Sequence, residues 1–204
     1  PEKGLLPPAQ FIPICEESGL IIPLGRWVLR EACRHHARLQ QLGRGDLSIA
    51  VNVSAAQFLR GDLLEDLRAL KAEFALPPGA IELELTESVV MESPEVVILV
   101  MQELRDLGVS MSLDDFGTGY SSLAYLTEYP IDILKIDRAF ISKIGNAKQD
   151  AIVNAMIAMG KTIGLKVVAE GVETEQQSEY LKHQECDILQ GYLFAKPLSA
   201  KHAT

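Results

Sequence analysis

The sequence predicts an α/β fold, a (β/α)8 TIM-like barrel whose first two strands are missing from this chain. Three observations carry that expectation. Six short apolar segments suited to strands alternate with stretches of helical period, the pattern of a parallel sheet with helices outside it. Polar residues recur at or near the C-terminal ends of these strands: Asn52, Glu84, Asp114 and Asp115, Lys135 and Asp137, Glu170, and Gln190. Barrels gather functional groups on one rim in this way. An open doubly wound sheet concentrates them at one switch point and has a glycine-rich phosphate loop after its first strand, which is absent here.

The elements follow in order. Pro1 to Pro13, with four prolines and Gly4, reads as a loop entering a short helix. A helix fits Pro23–Leu42, with Leu24, Val28, Ala32 and Leu39 on one face and Gly43 and Gly45 ending it. Strands are expected at Leu47–Val53, Ala80–Thr86, Val109–Leu113, Ile131–Ile136, Leu165–Ala169 and Asp187–Gln190. Between them, Leu63, Leu67, Leu70 and Phe74 form one helical stripe, and Ile152, Met156, Met159 and Ile163 another. Ser93-Pro94 supplies an N-cap and first-turn proline before Val97, Val100, Met101 and Leu104. Thr174 and Gln177 have the spacing of a capping box. Trp27, Phe58 and Phe74 are expected in the core. His35, His36, His183 and His202 lack metal-ligand spacing and are expected in packing or surface roles. No linker or charge block divides residues 1–204, so a single domain is expected.

The 204 residues are 48 % apolar and 23 % charged, the balance of a globular chain with a core. Nineteen basic against 28 acidic residues leave a net charge of −9, which argues against a nucleic-acid polymer or an anionic membrane surface as partner. A small phosphate ligand held through cations remains compatible with that charge. Cys15, Cys33 and Cys186 are odd in number and widely spaced, which suits reduced thiols and a cytoplasmic location. No run of about 18 apolar residues occurs.

Glu84, Asp114, Asp115 and Glu170 directed at one barrel mouth would repel one another unless cations lay among them. Oxygen donors with one amide, Asn52, suit hard ions such as Mg²⁺ or Mn²⁺ rather than zinc. Two such ions about 3.5–4 Å apart can activate water and stabilise a phosphoryl transition state. Lys135 is placed to neutralise developing charge or orient the attacking water. Glu82 fits a cap or a surface ion pair, and Asp137 a partner for Arg138 or Lys135. The stretch Asp114-Asp115-Phe116-Gly117-Thr118-Gly119-Tyr120-Ser121-Ser122-Leu123 describes a loop with unusual backbone angles that can swing over a site. Its Asp-Phe-Gly triplet lacks the companion motifs of a kinase.

Seven segments in order give the chain a family likeness: Phe11-Ile12-Pro13 with Glu16 and Gly19-Leu20-Ile21; Asn52-Val53-Ser54; Glu82 to Ser88; the Asp114–Leu123 loop; Leu134-Lys135-Ile136-Asp137; Ala169 to Thr174; and Gln190-Gly191-Tyr192 with Pro197-Leu198. The chain resembles the EAL domains, phosphodiesterases of the bacterial second messenger cyclic di-GMP. The resemblance implies that Asn52, Glu84 and Asp114 hold one metal, that Asp114 bridges to a second held by Asp115, and that Glu170 completes the site. It also implies that Lys135 holds the nucleophilic water. Glu87 would anchor the mobile loop (Phe116, Gly117, Thr118, Gly119, Tyr120) and support a homodimer. Glu16, Glu173, Gln190 and Pro197 would line the guanine and ribose side of the pocket.

The Glu-Ala-Leu triplet that names the family is absent, and is expected upstream of Pro1. The chain would then be about the C-terminal three-quarters of the domain, unstable or strand-swapped in isolation because two sheet edges are unpaired. Fused sensor or GGDEF domains are expected outside it. The expected reaction is two-metal hydrolysis of cyclic di-GMP to linear pGpG. The rival is a receptor that binds the nucleotide without cleaving it and signals to a partner.

Overall fold

The computed structural model describes residues 6–60, 62–92, 94–117 and 126–198. A 3-10 turn at Pro8–Gln10 leads into helices α1 (Ile12–Ser18) and α2 (Ile21–Gln41), then strand β1 (Ile49–Val53). Helices α3 (Ala55–Arg60) and α4 (Leu63–Phe74) precede β2 (Ile81–Thr86), and α5 (Glu87–Glu92) and α6 (Pro94–Asp106) precede β3 (Ser110–Phe116). There follow β4 (Ile133–Ile136), α7 (Arg138–Ile141), α8 (Ala147–Thr162), β5 (Lys166–Ala169), α9 (Glu175–His183) and β6 (Ile188–Leu189).

The sheet runs β1-β2-β3-β4-β5-β6, each strand bonded to its successor, and β3 to β6 pair in parallel. A doubly wound sheet reverses its order at a switch point; an unbroken sequential order is that of barrel staves. All six expected strands form. β3 runs three residues further than expected, to Phe116, and β6 is shorter.

Contacts group the chain into two compact units: Pro1–Leu83 with Glu95–Ser110, and Glu84–Pro94 with Met111–Thr204. In the first, α2 and α4 pack together, with Leu63, Leu67 and Leu70 buried as their spacing foretold. The buried stripe of α2 is Ile21, Gly25, Leu29, Ala32, Cys33 and His36, rotated from the expected Leu24–Val28 face, which is only half-buried. Trp27, expected in the core, is 61 % exposed. It lies two residues from Gly25, about 200° around the helix, and so faces away from the packing. The rotation has a local cause: a Cβ on Gly25 would meet the Gln57 amide at 1.7 Å, so this helix face is kept bare for a neighbouring side chain.

In the second unit, Ile136, Ile141, Val153, Ile157, Val167, Ala169, Val172 and Leu181 form the core. The stripe of α8 is Val153, Ile157 and Gly160, one residue on from the expected Ile152, which is 40 % exposed. Gly160 sets that choice, because a Cβ there would stand 2.6 Å from Val167 and 3.3 Å from Leu134. The helix therefore approaches β4 and β5 closely along this line. Since side chains alternate along a strand, Leu134 and Ile136 face α8 while Lys135 points to the opposite side of the sheet.

Candidate functional site

On that opposite side the second unit assembles its charged residues. Glu84 comes from β2, Asp114 from β3, Lys135 from β4, and Glu170 from the turn after β5. The Lys135 ammonium lies 2.5 Å from Glu84 Oε1, 2.6 Å from Glu170 Oε1 and 3.4 Å from Asp114 Oδ1. Its side chain is 4 % exposed. A cation does lie among these carboxylates, and it is a lysine of the chain itself. Among the described residues no group of three or more His, Cys, Asp or Glu side chains takes up a metal-holding arrangement.

β3 explains how consecutive aspartates both reach this region. Its register with β4 shifts between Leu113 and Phe116, where three steps on β3 match two on β4 (Leu113↔Leu134, Phe116↔Ile136). Such a bulge suspends the strict alternation of faces and re-aims a side chain. Asp115 takes φ +56°, left-handed for a residue with a side chain, and its backbone N–H donates to Asp114 Oδ1 at 3.0 Å. Asp115 is thereby turned into the field of Asp114 and Lys135.

The electrostatics are those of a site with surplus negative charge. Burial pulls the Lys135 ammonium down, but its bonds to Glu170 and Glu84 outweigh this and hold it above the ordinary lysine range. Burial pushes the Glu170 carboxyl up; Lys135 opposes that, and Asp114 and Glu84 add to it. The Asp115 carboxyl is raised by burial, then by Asp114 and Asp137. Three carboxylates gather around one ammonium, so acidic groups outnumber basic ones within the cluster. Hard oxygen donors in a cluster where acidic groups predominate fit a divalent cation of the Mg²⁺ or Mn²⁺ class.

Beside the cluster, Glu87 is buried, and its Oε2 accepts from the Gly117 N–H at 3.4 Å. Gly117 has φ +91°, and a Cβ would stand 2.4 Å from Met156 Cε and 3.1 Å from the Phe140 ring. Phe116 is buried, and the Tyr129 hydroxyl donates to the Val90 carbonyl at 3.0 Å. Thr118, Gly119 and Tyr120 lie outside the described residues.

Gln190 is joined to the Glu170 turn through its backbone: its N–H donates to Ala169 O, and its carbonyl accepts from Val172 N–H. Glu173 forms an ion pair with Arg138 at 2.9 Å, and Pro197 is exposed. Asn52 and Glu16 belong to the first unit, where both are exposed. Two expectations need correcting. Glu82 is 8 % exposed within β2, since a strand buried on both faces leaves no surface position there. Asp137 caps α7 through the Ala139 N–H at 2.8 Å, while Arg138 pairs with Glu173 instead. Sequence reasoning gave Arg138 no place at the site; its only signal was its position directly after Lys135-Ile136-Asp137.

A family model for the EAL domain matches residues 1–197. The chain belongs to the EAL domain family. MucR of Pseudomonas aeruginosa, a bifunctional diguanylate cyclase/cyclic di-GMP phosphodiesterase, is 45 % identical over 202 residues, 98 % of this chain and 30 % of that protein. NbdA of the same organism, a cyclic di-GMP phosphodiesterase, is 46 % identical over 199 residues, 97 % of this chain and 25 % of that protein. This EAL chain thus spans less than a third of the length of these curated relatives. A solved structure described as the PaMucR phosphodiesterase in a c-di-GMP complex superposes with a TM-score of 0.96 at 44 % identity, covering all of this chain and 83 % of that one. EAL neighbours are TIM-barrel-like, in agreement with the sequential parallel sheet.

Proposed function

We propose that this EAL chain carries the site of a cyclic di-GMP phosphodiesterase that opens one phosphodiester bond to give linear pGpG. The observation that supports it most is the buried Glu84–Asp114–Lys135–Glu170 cluster, with its surplus negative charge, in a chain 45–46 % identical to proteins named for that activity.

In this reading Glu84, Asp114, Asp115 and Glu170 would hold two Mg²⁺ or Mn²⁺ ions. When bound, these supply water activation and charge stabilisation on the phosphoryl group. The chain's own residues do the rest. Lys135, kept protonated by its acidic neighbours, donates hydrogen bonds to the attacking water and to Glu84 and Glu170. The bulge at Asp114-Asp115 leaves the Asp115 carboxyl within the field of Asp114 and Lys135. Glu87 holds the first residue of the glycine loop through Gly117, and the same segment would support a homodimer. Glu173, Gln190 and Pro197 would bound the base and ribose. Fused cyclase or sensor parts are proposed on the pattern of MucR. A cytoplasmic site of action suits the substrate, and no helix among the described residues is long and apolar enough to cross a membrane.

The test is chromatographic detection of pGpG from cyclic di-GMP with Mn²⁺, using the full-length protein and Asp114→Asn. Turnover in the wild type and a loss of at least ~10²-fold in the variant is the expected result. Full activity in the variant overturns the mechanism. Nucleotide binding with no cleavage by the wild type overturns the enzyme in favour of a receptor.

A further inference from the structure

Glu170 lies one residue beyond β5, so the turn that it opens helps to set its position against Lys135. Lys135 is held within β4, whereas Glu170 lies just past β5, where its N–H donates to the Ile136 carbonyl at 3.1 Å and its carboxylate accepts from Lys135 at 2.6 Å. Two side chains join the turn after β5 to α7, the helix that begins three residues beyond Lys135. The Arg138 stem lies across Gly171, where a Cβ would meet its Cγ at 2.3 Å, its Cβ at 2.7 Å and its Cδ at 2.9 Å. Gly171 also has φ +67°, so glycine is required there by backbone and contact alike. The Arg138 guanidinium then reaches Glu173 at the far side of the same turn, 2.9 Å away.

Gln177 makes the second connection. Its Oε1 accepts from the N–H groups of Glu173 (2.8 Å) and Thr174 (3.1 Å), while the Thr174 hydroxyl accepts from the Gln177 N–H. A capping box would use no more than this. Here the amide's other end also donates, from Nε2 to the Ile141 carbonyl at the end of α7, at 3.2 Å. One side chain thus stops α9 at its start and grips the last turn of α7.

We propose that Arg138 and Gln177 are positioning residues, a two-point clamp that fastens the Glu170–Glu173 turn to α7 and so sets Glu170 against Lys135. The Arg138–Glu173 pair is half-exposed and stabilises little by itself. Its effect is on geometry, and an error of about 1 Å in a reacting group can cost about 10²-fold in rate.

The inference rests on the phosphodiesterase reading, and its test separates the two. In the full-length protein, Arg138→Ala, Arg138→Lys and Gln177→Ala are compared with wild type for kcat, KM, thermal midpoint and Mn²⁺ affinity without nucleotide, followed by the EPR signal of free Mn²⁺. Both alanine variants are expected to lose ~10–100-fold in kcat, with KM within about threefold, the midpoint nearly unmoved, and Mn²⁺ bound several-fold more weakly. Arg138→Lys, which keeps the stem over Gly171 and a charge opposite Glu173, should recover most of the loss. Wild-type kcat and Mn²⁺ affinity in the alanine variants overturn the clamp. So does a rate loss that vanishes per folded molecule, or a lysine variant no better than alanine. A wild type without turnover, whose Mn²⁺ affinity still falls in both alanine variants, overturns the phosphodiesterase reading and upholds the clamp.

Discussion

Two ion pairs of equal length stand in contrasting surroundings. In the first unit, Arg26 meets Asp66 at 2.6 Å on the outside of the α2–α4 pair, with side chains 47 % and 27 % exposed. In the second, Lys135 meets Glu170 at the same 2.6 Å, with side chains 4 % and 19 % exposed. Distance is identical, so burial decides what each pair does. The outer pair is screened by water and salt and joins two helices that already bury Leu63, Leu67 and Leu70. The inner one keeps charges in a place that packing alone would fill with apolar atoms. The interior of the first unit shows another balance: its buried side chains include the uncharged Cys33, His36 and Gln57 along with the carboxylate of Glu82, and burial pushes the Cys33 thiol up to about 11. Among the described residues, one unit has a single buried carboxylate, Glu82, in its interior. The other concentrates charge there.

The largest effect should come from removing the inner cation. Lys135→Met strips the ammonium from Glu84, Asp114 and Glu170, and leaving buried charges unpaired costs about 3–5 kcal/mol. Denaturant unfolding without metal should show that loss, and Mn²⁺ should restore part of it if the carboxylates hold divalent ions. A variant as stable as wild type would erase the contrast between the two pairs.

The interior of the first unit makes a smaller, pH-dependent prediction. With the Cys33 thiol raised from 9.0 to about 11, the folded state keeps a proton that the unfolded state loses. Its contribution to stability is therefore complete below pH 9 and falls away as pH rises toward 11. Cys33→Ala should flatten the alkaline part of a stability-versus-pH curve. Cys186, also pushed up to about 11, remains in the background of both proteins. An unchanged slope would show that the thiol is not shielded.

His36 sharpens the same side of the comparison. It is fully buried, and neither ring nitrogen has a hydrogen-bond partner among the described residues. An orphaned buried polar group costs about 1–3 kcal/mol, so His36→Leu should leave the thermal midpoint unchanged or higher. A midpoint several degrees lower would mean the imidazole makes a favourable bond in solution. The smallest effect belongs to the outer pairs: Arg30→Ala, which breaks the two-pronged contact with Glu73, should cost no more than about 1 kcal/mol, less in high salt. A larger loss in urea titration would place those surface charges on a par with the buried ones.

Much of this was legible in the residues. Strand positions were legible because apolar runs of four to seven residues bounded by turn residues are the length of strands and shorter than most helices. The members of the charged cluster were legible because acidic and basic residues recur just where each strand ends. The faces of α2 and α8 were read one position off or rotated. Hydrophobicity marks Leu24 and Ile152 as inward, but Gly25 and Gly160 are where neighbouring chains come close, and a missing side chain carries no hydrophobic signal. Trp27 was misplaced for the same reason. The role of Asp137 as a cap rather than an ion partner, and the reach of Gln177 to Ile141, depend on side-chain directions that spacing does not specify.

Sequence alone thus determined the order of the elements, the family, and the identity of the acidic side chains, since periodicity, turn chemistry and motif order are local properties of the chain. Only the tertiary structure decided that Lys135 stands among Glu84, Asp114 and Glu170, and that a bulge leaves Asp115 within the field of Asp114 and Lys135. Those outcomes depend on register between strands distant in sequence and on close approach at glycines. Both are set by packing against neighbours, which no single segment encodes.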